Sequence, residues 1–236
     1  MNLDLLAIAA HPDDVELTCG GTLLKMAQAG YKTGILDLTA GEMGTLGTPE
    51  TRAKEAALAA KILKVKYRAT LGVPDSDVTA SRENKLRLAT AVRDLRPRTV
   101  IIPYWEARHP DHYNASTLCY EGCFLAGLKQ LPIAGEPFRP HKILYSTAFA
   151  RVRPTFVVDI TAQFAERHKA IKAFHSQFKG TTRKRKVFLA IDRLEEEMNQ
   201  IARHYGDLIG VRYGEPFLQK EMMKVNDVVE MEVRSI

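Results

Sequence analysis

Cysteine is scarce in this chain, which has only three cysteines among 236 residues, at positions 19, 119 and 123. Such an odd and sparse set does not suit the disulfide framework that stabilises many small secreted domains. Proteins without a disulfide framework are typical of a reducing compartment. The sequence therefore predicts a cytoplasmic protein.

Long hydrophobic runs are also missing. The apolar stretch at residues 5–10 is too short for the core of a secretory signal or for a membrane-spanning helix, and no basic leader precedes it. We therefore expect neither a membrane partner nor export.

Signals for nucleic-acid binding are few, although the formal net charge is +6 and the isoelectric point is near 9.2. The densest basic run, residues 179–186, contains no aromatic side chains on which bases could stack, so we interpret it as a solvated loop. Gly20 and Gly21 lack the Gly-x-Gly-x-x-Gly spacing of a phosphate-binding turn. These gaps predict a protein that binds no nucleic acid.

Hydrophobic periodicity, in contrast, is plentiful, and strand-like and helix-like segments alternate along the chain. Continuous apolar runs such as residues 3–10 are typical of buried parallel strands. The alternation predicts an α/β fold with a doubly wound, mostly parallel sheet (Rossmann-like) and helices on both faces. A length of 236 residues predicts a single domain, 1–236.

The same periodicity predicts where each strand and helix lies. The strands are expected at about 3–10, 33–39, 67–71, 99–103, 143–147, 156–159 and 228–233. The helices are expected at about 21–30, 48–63, 83–95, 114–130, 162–174 and 187–204.

Two similar polar motifs follow two of the predicted strands. His11-Pro12-Asp13-Asp14 follows the first strand, and His109-Pro110-Asp111-His112 follows the fourth. One such motif alone would be typical of a turn with a capping carboxylate. Because open α/β sheets bind ligands at the carboxyl ends of their strands, two motifs in equivalent places predict one shared site.

A hydrolytic metal centre is the chemistry that these motifs fit. It needs three histidine or carboxylate ligands and an open position, and His11, Asp14 and His112 supply such a set. Zinc is the expected ion, although iron or cobalt also binds such ligands. Asp13 is the candidate general base for the attacking water. The remaining two residues have supporting roles: His109 would polarise the carbonyl or protonate the leaving amine, and Asp111 would orient a neighbouring imidazole.

Together these segments resemble the LmbE-like (PIG-L) family of zinc-dependent N-acetylglucosaminyl deacetylases. The resemblance starts at Ala10-His11-Pro12-Asp13-Asp14 with Gly20-Gly21-Thr22-Leu23, and it returns at His109-Pro110-Asp111-His112. Between the motifs, 37–45 and 47–53 resemble the branch that makes the thiol bacillithiol. Further similarity at 176–178 and 209–217 extends it over nearly the whole chain.

The resemblance implies a substrate and the residues that hold it. It implies the same roles for His11, Asp13, Asp14, His109 and His112, and hydrolysis of N-acetylglucosaminyl malate to glucosaminyl malate and acetate. It further suggests that Arg52 and Asp75 hold the substrate, and Arg108 would favour an anionic aglycone. It also implies a homo-oligomer.

Several alternatives stay open at this point. Arg52 also fits an ordinary surface arginine, and Asp75 also fits a residue that shapes its turn. Relatives that make mycothiol carry a tyrosine just before the second motif, where this chain has Ala107 and Arg108, so a tyrosine would have to come from elsewhere, such as Tyr205 or Tyr213. The alternative functions are a zinc amidase acting on a chitin disaccharide or a thiol conjugate, and a non-catalytic sugar- or nucleotide-binding module.

Overall fold

The computed structural model describes residues 1–147, 150–178 and 191–233. Its strands are β1 Leu5–Ala9, β2 Thr33–Asp37, β3 Tyr67–Thr70, β4 Thr99–Pro103, β5 Lys142–Ser146, β6 Phe156–Asp159 and β7 Gly214–Leu218. Its helices are α1 Asp14–Gln28, α2 Pro49–Ile62, α3 Arg82–Leu95, α4 Pro110–Ala126, α5 Phe164–Lys172, α6 His175–Phe178 and α7 Ile191–Asp207.

One sheet runs through the middle of the structure, in the strand order β3-β2-β1-β4-β5-β7-β6. Neighbours from β3 to β5 pair in parallel, whereas β7 runs antiparallel between β5 and β6. β1 has the fully buried pattern expected of a central parallel strand. The prediction of a mostly parallel α/β sheet flanked by helices is confirmed. That the whole chain forms one domain stays a prediction.

The two faces of the sheet carry separate hydrophobic clusters. On one face, Leu88 of α3 and Leu118 of α4 pack with Leu6 of β1. On the other face, Leu23 of α1 and Phe174 pack with Leu5 of β1. Alternate residues of β1 therefore support helices on opposite sides, as the twofold periodicity of a strand requires.

Most predicted elements are present, with shifted ends. α4 begins at Pro110 rather than at residue 114, because His109 is its N-cap and accepts a hydrogen bond from the Asp111 backbone amide at 3.2 Å. α1 begins at Asp14 rather than at residue 21, and non-helical angles at Cys19 interrupt it. The start of the predicted 187–204 helix and the basic run 179–186 lie outside the described residues.

The prediction for the C-terminal strand was wrong. The predicted strand at 228–233 is irregular and exposed, and the last strand is instead β7. Pro216 lies inside β7, and proline usually excludes a segment from the interior of a sheet because it has no amide hydrogen to donate. Here the antiparallel pairing with β5 and β6 tolerates it.

β7 also brings a buried carboxylate to the interruption in α1. Glu215 accepts hydrogen bonds from the backbone amides of Gly21 at 2.8 Å and Thr22 at 2.7 Å, and it pairs with Arg167 at 3.0 Å. These amides begin the second half of α1 and have no helical acceptor. A Cβ on residue 21 would lie 2.9 Å from both Glu215 and Ile160, which explains the glycine.

Within the described parts of the chain, every helix is too short or too polar to cross a lipid bilayer. The three cysteines are free and buried.

Candidate metal centre

The two His-Pro-Asp motifs meet at one point on the edge of the sheet. β1 leads into α1 on one face and β4 leads into α4 on the other, so the chain diverges between these neighbouring strands. This divergence creates a crevice at the carboxyl ends of the strands. Asp14 lies in the first turn of α1 and His112 in the first turn of α4, and both face His11.

Three donor atoms form a nearly equilateral triangle in this crevice. His11 Nδ1 lies 3.3 Å from Asp14 Oδ2 and 3.3 Å from His112 Nε2. The third side, from His112 Nε2 to Asp14 Oδ2, is 3.2 Å. A backbone hydrogen bond from the His11 amide to Asp14 Oδ2 at 2.9 Å fixes the carboxylate.

The triangle has the size that a tetrahedral metal ion requires. With bonds of about 2.0–2.1 Å, a tetrahedral zinc ion holds its ligand atoms about 3.3–3.4 Å apart. Two imidazoles and one carboxylate are also ligands that zinc accepts, and three protein ligands leave a fourth position open. The residues present therefore fit the ion that the motifs predict.

A second group of donors lies beside the first, formed by His11, His109 and Asp111. Asp111 is the weaker candidate because both of its carboxylate oxygens already accept backbone hydrogen bonds, Oδ2 from Ser76 at 2.9 Å and Oδ1 from Val78 at 3.4 Å. The group of His11, Asp14 and His112 is therefore the better metal site.

Two carboxylates orient the outer nitrogen of His11. Its Nε2 lies 3.1 Å from Asp75 Oδ1 and 3.1 Å from Asp111 Oδ2. A hydrogen bond at Nε2 leaves the Nδ1 lone pair free for a metal and makes that nitrogen more basic. Burial opposes a charge on His11, but Asp14 and Asp75 more than offset it and raise the pKa to about 11, so a metal ion that binds Nδ1 has to displace a proton.

Asp75, predicted to hold the substrate, has both carboxylate oxygens engaged in the protein. Its Oδ2 accepts a hydrogen bond from the Met43 amide at 2.8 Å, and its own amide donates to Glu42 at 2.8 Å. These bonds connect the loops after β2 and β3 next to His11. The substrate role stays a prediction, and the contacts favour a role in orienting His11.

Replacing Asp75 with asparagine separates the two roles. We expect zinc affinity to fall about 10- to 100-fold, because the carboxylate next to a ligating imidazole is lost. KM measured at saturating zinc should change little. Zinc affinity from competition with a chelator checks this, with Asp77→Asn, an exposed carboxylate two residues away, as the control. A raised KM with unchanged zinc affinity would restore the substrate role.

Asp13 lies between the ligands and a buried arginine. It is the N-cap of α1 and has a φ of 108°, an angle that costs a non-glycine residue roughly 1–3 kcal/mol. Its Oδ2 lies 3.5 Å from Arg52 Nη2. Burial, and then the charge of Asp14, raise the pKa of Asp13 to about 7. A carboxylate held there in strained geometry beside the donor triangle is suited to accept a proton.

Arg52 is more deeply buried than is expected of a side chain that binds the substrate. Only 5% of the residue is exposed, and its guanidinium donates to the backbone carbonyls of Pro12 at 2.5 Å and Gly41 at 3.2 Å. Gly41 allows this approach, since a Cβ there would overlap the guanidinium. The predicted substrate role stays untested, and these contacts favour positioning of the Asp13 loop.

His109 is exposed at the site, and its neighbour in sequence, Arg108, is exposed as well. The His109 ring centroid is 5.0 Å from the ring centroids of both His11 and His112. Because its Nδ1 accepts the Asp111 amide hydrogen, the neutral ring carries its proton on Nε2. Burial, and then the charges of His11 and His112, lower the pKa of His109.

The two tyrosines named as substitutes for the mycothiol-type tyrosine are engaged elsewhere. The Tyr205 hydroxyl exchanges hydrogen bonds with the backbone of Val152, and the Tyr213 ring stacks on Phe164 at 3.6 Å between centroids.

A buried charge network close to the site was missed from the sequence. Arg68 of β3 pairs with Asp37 of β2 at 2.8 Å and with Glu16 of α1 at 2.6 Å. Glu16 lies in the first turn of α1, two residues after Asp14, so the network holds that turn against the sheet. The only sequence signal is that three charged residues occupy otherwise apolar segments.

Comparisons with known proteins identify the family and several relatives of this chain. The family described as PIG-L, GlcNAc-PI de-N-acetylase, matches residues 6–122. The diacetylchitobiose deacetylase of Thermococcus kodakarensis is 31% identical over 225 residues, which cover 89% of this chain and 80% of that protein. A Bacillus anthracis protein named probable N-acetyl-alpha-D-glucosaminyl L-malate deacetylase 2 is 28% identical and covers 74% of this chain and 81% of its own length.

A solved structure extends the likeness to the whole fold. The crystal structure of a conserved protein from Thermus thermophilus superposes with a TM-score of 0.87 at 42% identity, covering 95% of this chain and 98% of that one. The resemblance seen in the two motifs is thereby confirmed, and the chain belongs to the PIG-L, or LmbE-like, family of deacetylases.

Proposed function

We propose that this protein is a zinc-dependent deacetylase that hydrolyses N-acetylglucosaminyl malate to glucosaminyl malate and acetate, the reaction of bacillithiol biosynthesis. The observation that carries the proposal is the donor triangle of His11, Asp14 and His112 with Asp13 beside it. Family membership supports the coarser statement that it is a deacetylase of N-acetylglucosamine-containing substrates. A cytoplasmic location agrees with three free, buried cysteines.

His11, Asp14 and His112 would hold the zinc ion, which when bound supplies a Lewis acid for the amide carbonyl and lowers the pKa of water. Asp13 takes the proton of the attacking water, since its carboxylate lies next to the ligands and is fixed by Arg52. The same carboxyl then returns the proton to the nitrogen of the leaving amine. The C–N bond breaks, and acetate and a free amine result.

His109 acts on the other side of the amide. Its proton lies on Nε2, and its lowered pKa keeps the ring neutral near pH 7. A neutral imidazole is a hydrogen-bond donor to the carbonyl oxygen as negative charge develops there. We therefore assign His109 to stabilisation of that oxygen rather than to protonation of the amine.

The positive charge of Arg108 supports malate as the aglycone of the substrate. Arg108 is exposed next to His109, where a guanidinium can pair with a carboxylate of a bound substrate. Similarity to the Bacillus anthracis protein, named as a malate-conjugate deacetylase, points the same way. A neutral chitin disaccharide is the second candidate, because the Thermococcus relative named for that substrate is more similar to this chain.

The proposal is tested by measuring acetate release by the zinc-loaded protein. The substrates are N-acetylglucosaminyl malate, diacetylchitobiose and free N-acetylglucosamine. We expect the malate conjugate to have the highest kcat/KM. Arg108→Ala should raise KM for that conjugate about 10-fold or more, since a charge-assisted hydrogen bond is lost, and leave KM for the neutral disaccharide unchanged. Preference for the disaccharide would select the second candidate, and no acetate from any substrate would contradict deacetylation.

A further inference from the structure

The loop after β2 borders the donor triangle but packs little into the core. We call residues 40–48 the β2 loop, and most of them are exposed, with Met43 67% exposed. Its contacts nevertheless reach the site, because the Met43 amide donates to Asp75 at 2.8 Å and Asp75 lies 3.1 Å from His11. The conformation of this loop therefore bears on what the crevice can bind.

The first half of the β2 loop is held by bonds around Gly41. The Gly41 amide donates to Thr39 Oγ1 at 3.1 Å, and the Gly41 carbonyl accepts from the Arg52 guanidinium at 3.2 Å. The Gly44 amide donates to the same carbonyl at 3.1 Å. These bonds hold the first half of the loop without help from α6.

The second half of the β2 loop depends on α6 instead. Gln177 Nε2 donates to the Leu46 carbonyl at 2.8 Å. Gly47, the next residue, has a φ of 79°, and a Cβ there would lie 2.5 Å from Ser176 Oγ. Glycine at this position thus allows both the left-handed backbone and the close approach of α6. Leu46 and Gly47 take their positions from Ser176 and Gln177.

A buried carboxylate holds Ser176 in turn. Glu55 of α2 is 8% exposed and accepts hydrogen bonds from the Ser176 amide and from the Ser176 hydroxyl, each at 2.7 Å. The Ser176 hydroxyl oxygen itself accepts from Gln177 Nε2 at 3.1 Å. Hydrogen bonds to an ionised carboxylate are shorter and stronger than bonds between neutral groups. We call Glu55, Ser176 and Gln177 the loop clamp.

The loop clamp joins three stretches that carry the family resemblance. Gln177 binds the chain where the stretches 37–45 and 47–53 meet, and it lies in the third stretch, 176–178. The chemistry of amide hydrolysis requires nothing from 176–178. The contacts of the clamp give that stretch a role in holding the β2 loop.

We propose that Gln177 is a positioning residue for the reaction, and that the loop clamp shapes the part of the crevice that receives the group attached to N-acetylglucosamine. The inference rests on the proposed function, in which the amide binds at the donor triangle beside the first half of the β2 loop. That half keeps its own bonds when the clamp is lost. The second half then shifts, and it meets only groups farther along the substrate. The clamp therefore acts on KM for conjugates and not on kcat.

Gln177→Met tests the clamp, because methionine has a similar length but no N–H to donate. For the conjugate that the wild type prefers, KM should rise about 3- to 10-fold, as expected for one lost hydrogen bond, while kcat stays within about twofold. KM for free N-acetylglucosamine, which has no aglycone, should not change. Gln163→Met is the matched control, since Gln163 also donates one hydrogen bond at 2.8 Å, to Gln28 at the far end of α1.

Limited proteolysis measures the loop without any substrate. A protease specific for glutamate must bind residues on both sides of its cut after Glu42, so it reports on the second half of the β2 loop. The cut should be about 3- to 10-fold faster in Gln177→Met, because the freed loop opens more often. Cutting after Glu221, in the exposed segment that follows β7, gives a reference rate in the same sample. Gln163→Met should be cut at the wild-type rate.

The outcomes separate the clamp from the proposed function. Unchanged cutting after Glu42 in Gln177→Met would overturn the clamp. Faster cutting with an unchanged KM for the conjugate, or an equal rise in KM for free N-acetylglucosamine, would overturn its role in substrate fit. If the wild-type protein releases no acetate, the proposed function fails instead, and proteolysis still decides whether the clamp holds the loop.

Discussion

Replacing Asp13 with asparagine is expected to lower kcat for deacetylation about 100- to 10,000-fold and to leave the zinc content unchanged. The amide cannot accept the proton of the attacking water, but it fills the same space. Asparagine also tolerates the positive φ of 108° at this position better than most residues, so the first turn of α1 should keep its form. Acetate release and metal analysis on the same sample measure both quantities.

Glu106→Gln is the matched control for this substitution, because it neutralises an exposed carboxylate on the loop between β4 and α4. It should keep wild-type kcat. If Asp13 is the base, the acid limb of the kcat pH profile should also disappear in Asp13→Asn. A variant that turns over within twofold of wild type would show that the base lies elsewhere.

Replacing His112 with alanine is expected to remove most of the bound metal and, with it, the activity. One corner of the donor triangle is lost, and two remaining ligands hold zinc far more weakly than three. Metal content after dialysis, measured by mass spectrometry, should fall from about one ion per chain to a small fraction of that.

His109→Ala is the control, since it removes an imidazole three residues away, at the N-cap of the helix that carries His112. It should keep its zinc and lose turnover, because His109 is assigned to the carbonyl oxygen. The pair also separates the two donor groups, since a site built from His11, His109 and Asp111 predicts the reverse. Metal retained in His112→Ala and lost in His109→Ala would move the site to that second group.

Much of the fold was predictable because its signals are local. The apolar run before His11 and the alternating helix patterns predict parallel strands and crossovers without any tertiary information. β7 was not predictable in this way, because Gly214 and Pro216 argue against a strand and only pairing with β5 and β6 overrides them.

In the candidate site, too, some residues could be predicted from the sequence and others could not. The sequence by itself brought His11, Asp14 and His112 forward, because two motifs at strand ends fall on one sheet edge whatever the details of packing. It could not determine where Arg52 of α2 and Asp75 of the loop after β3 point, since either side chain could face the substrate or the protein. Tertiary structure decided this, because α2 packs Arg52 against the loops after β1 and β2 next to Asp13, and the loop after β3 brings Asp75 against His11.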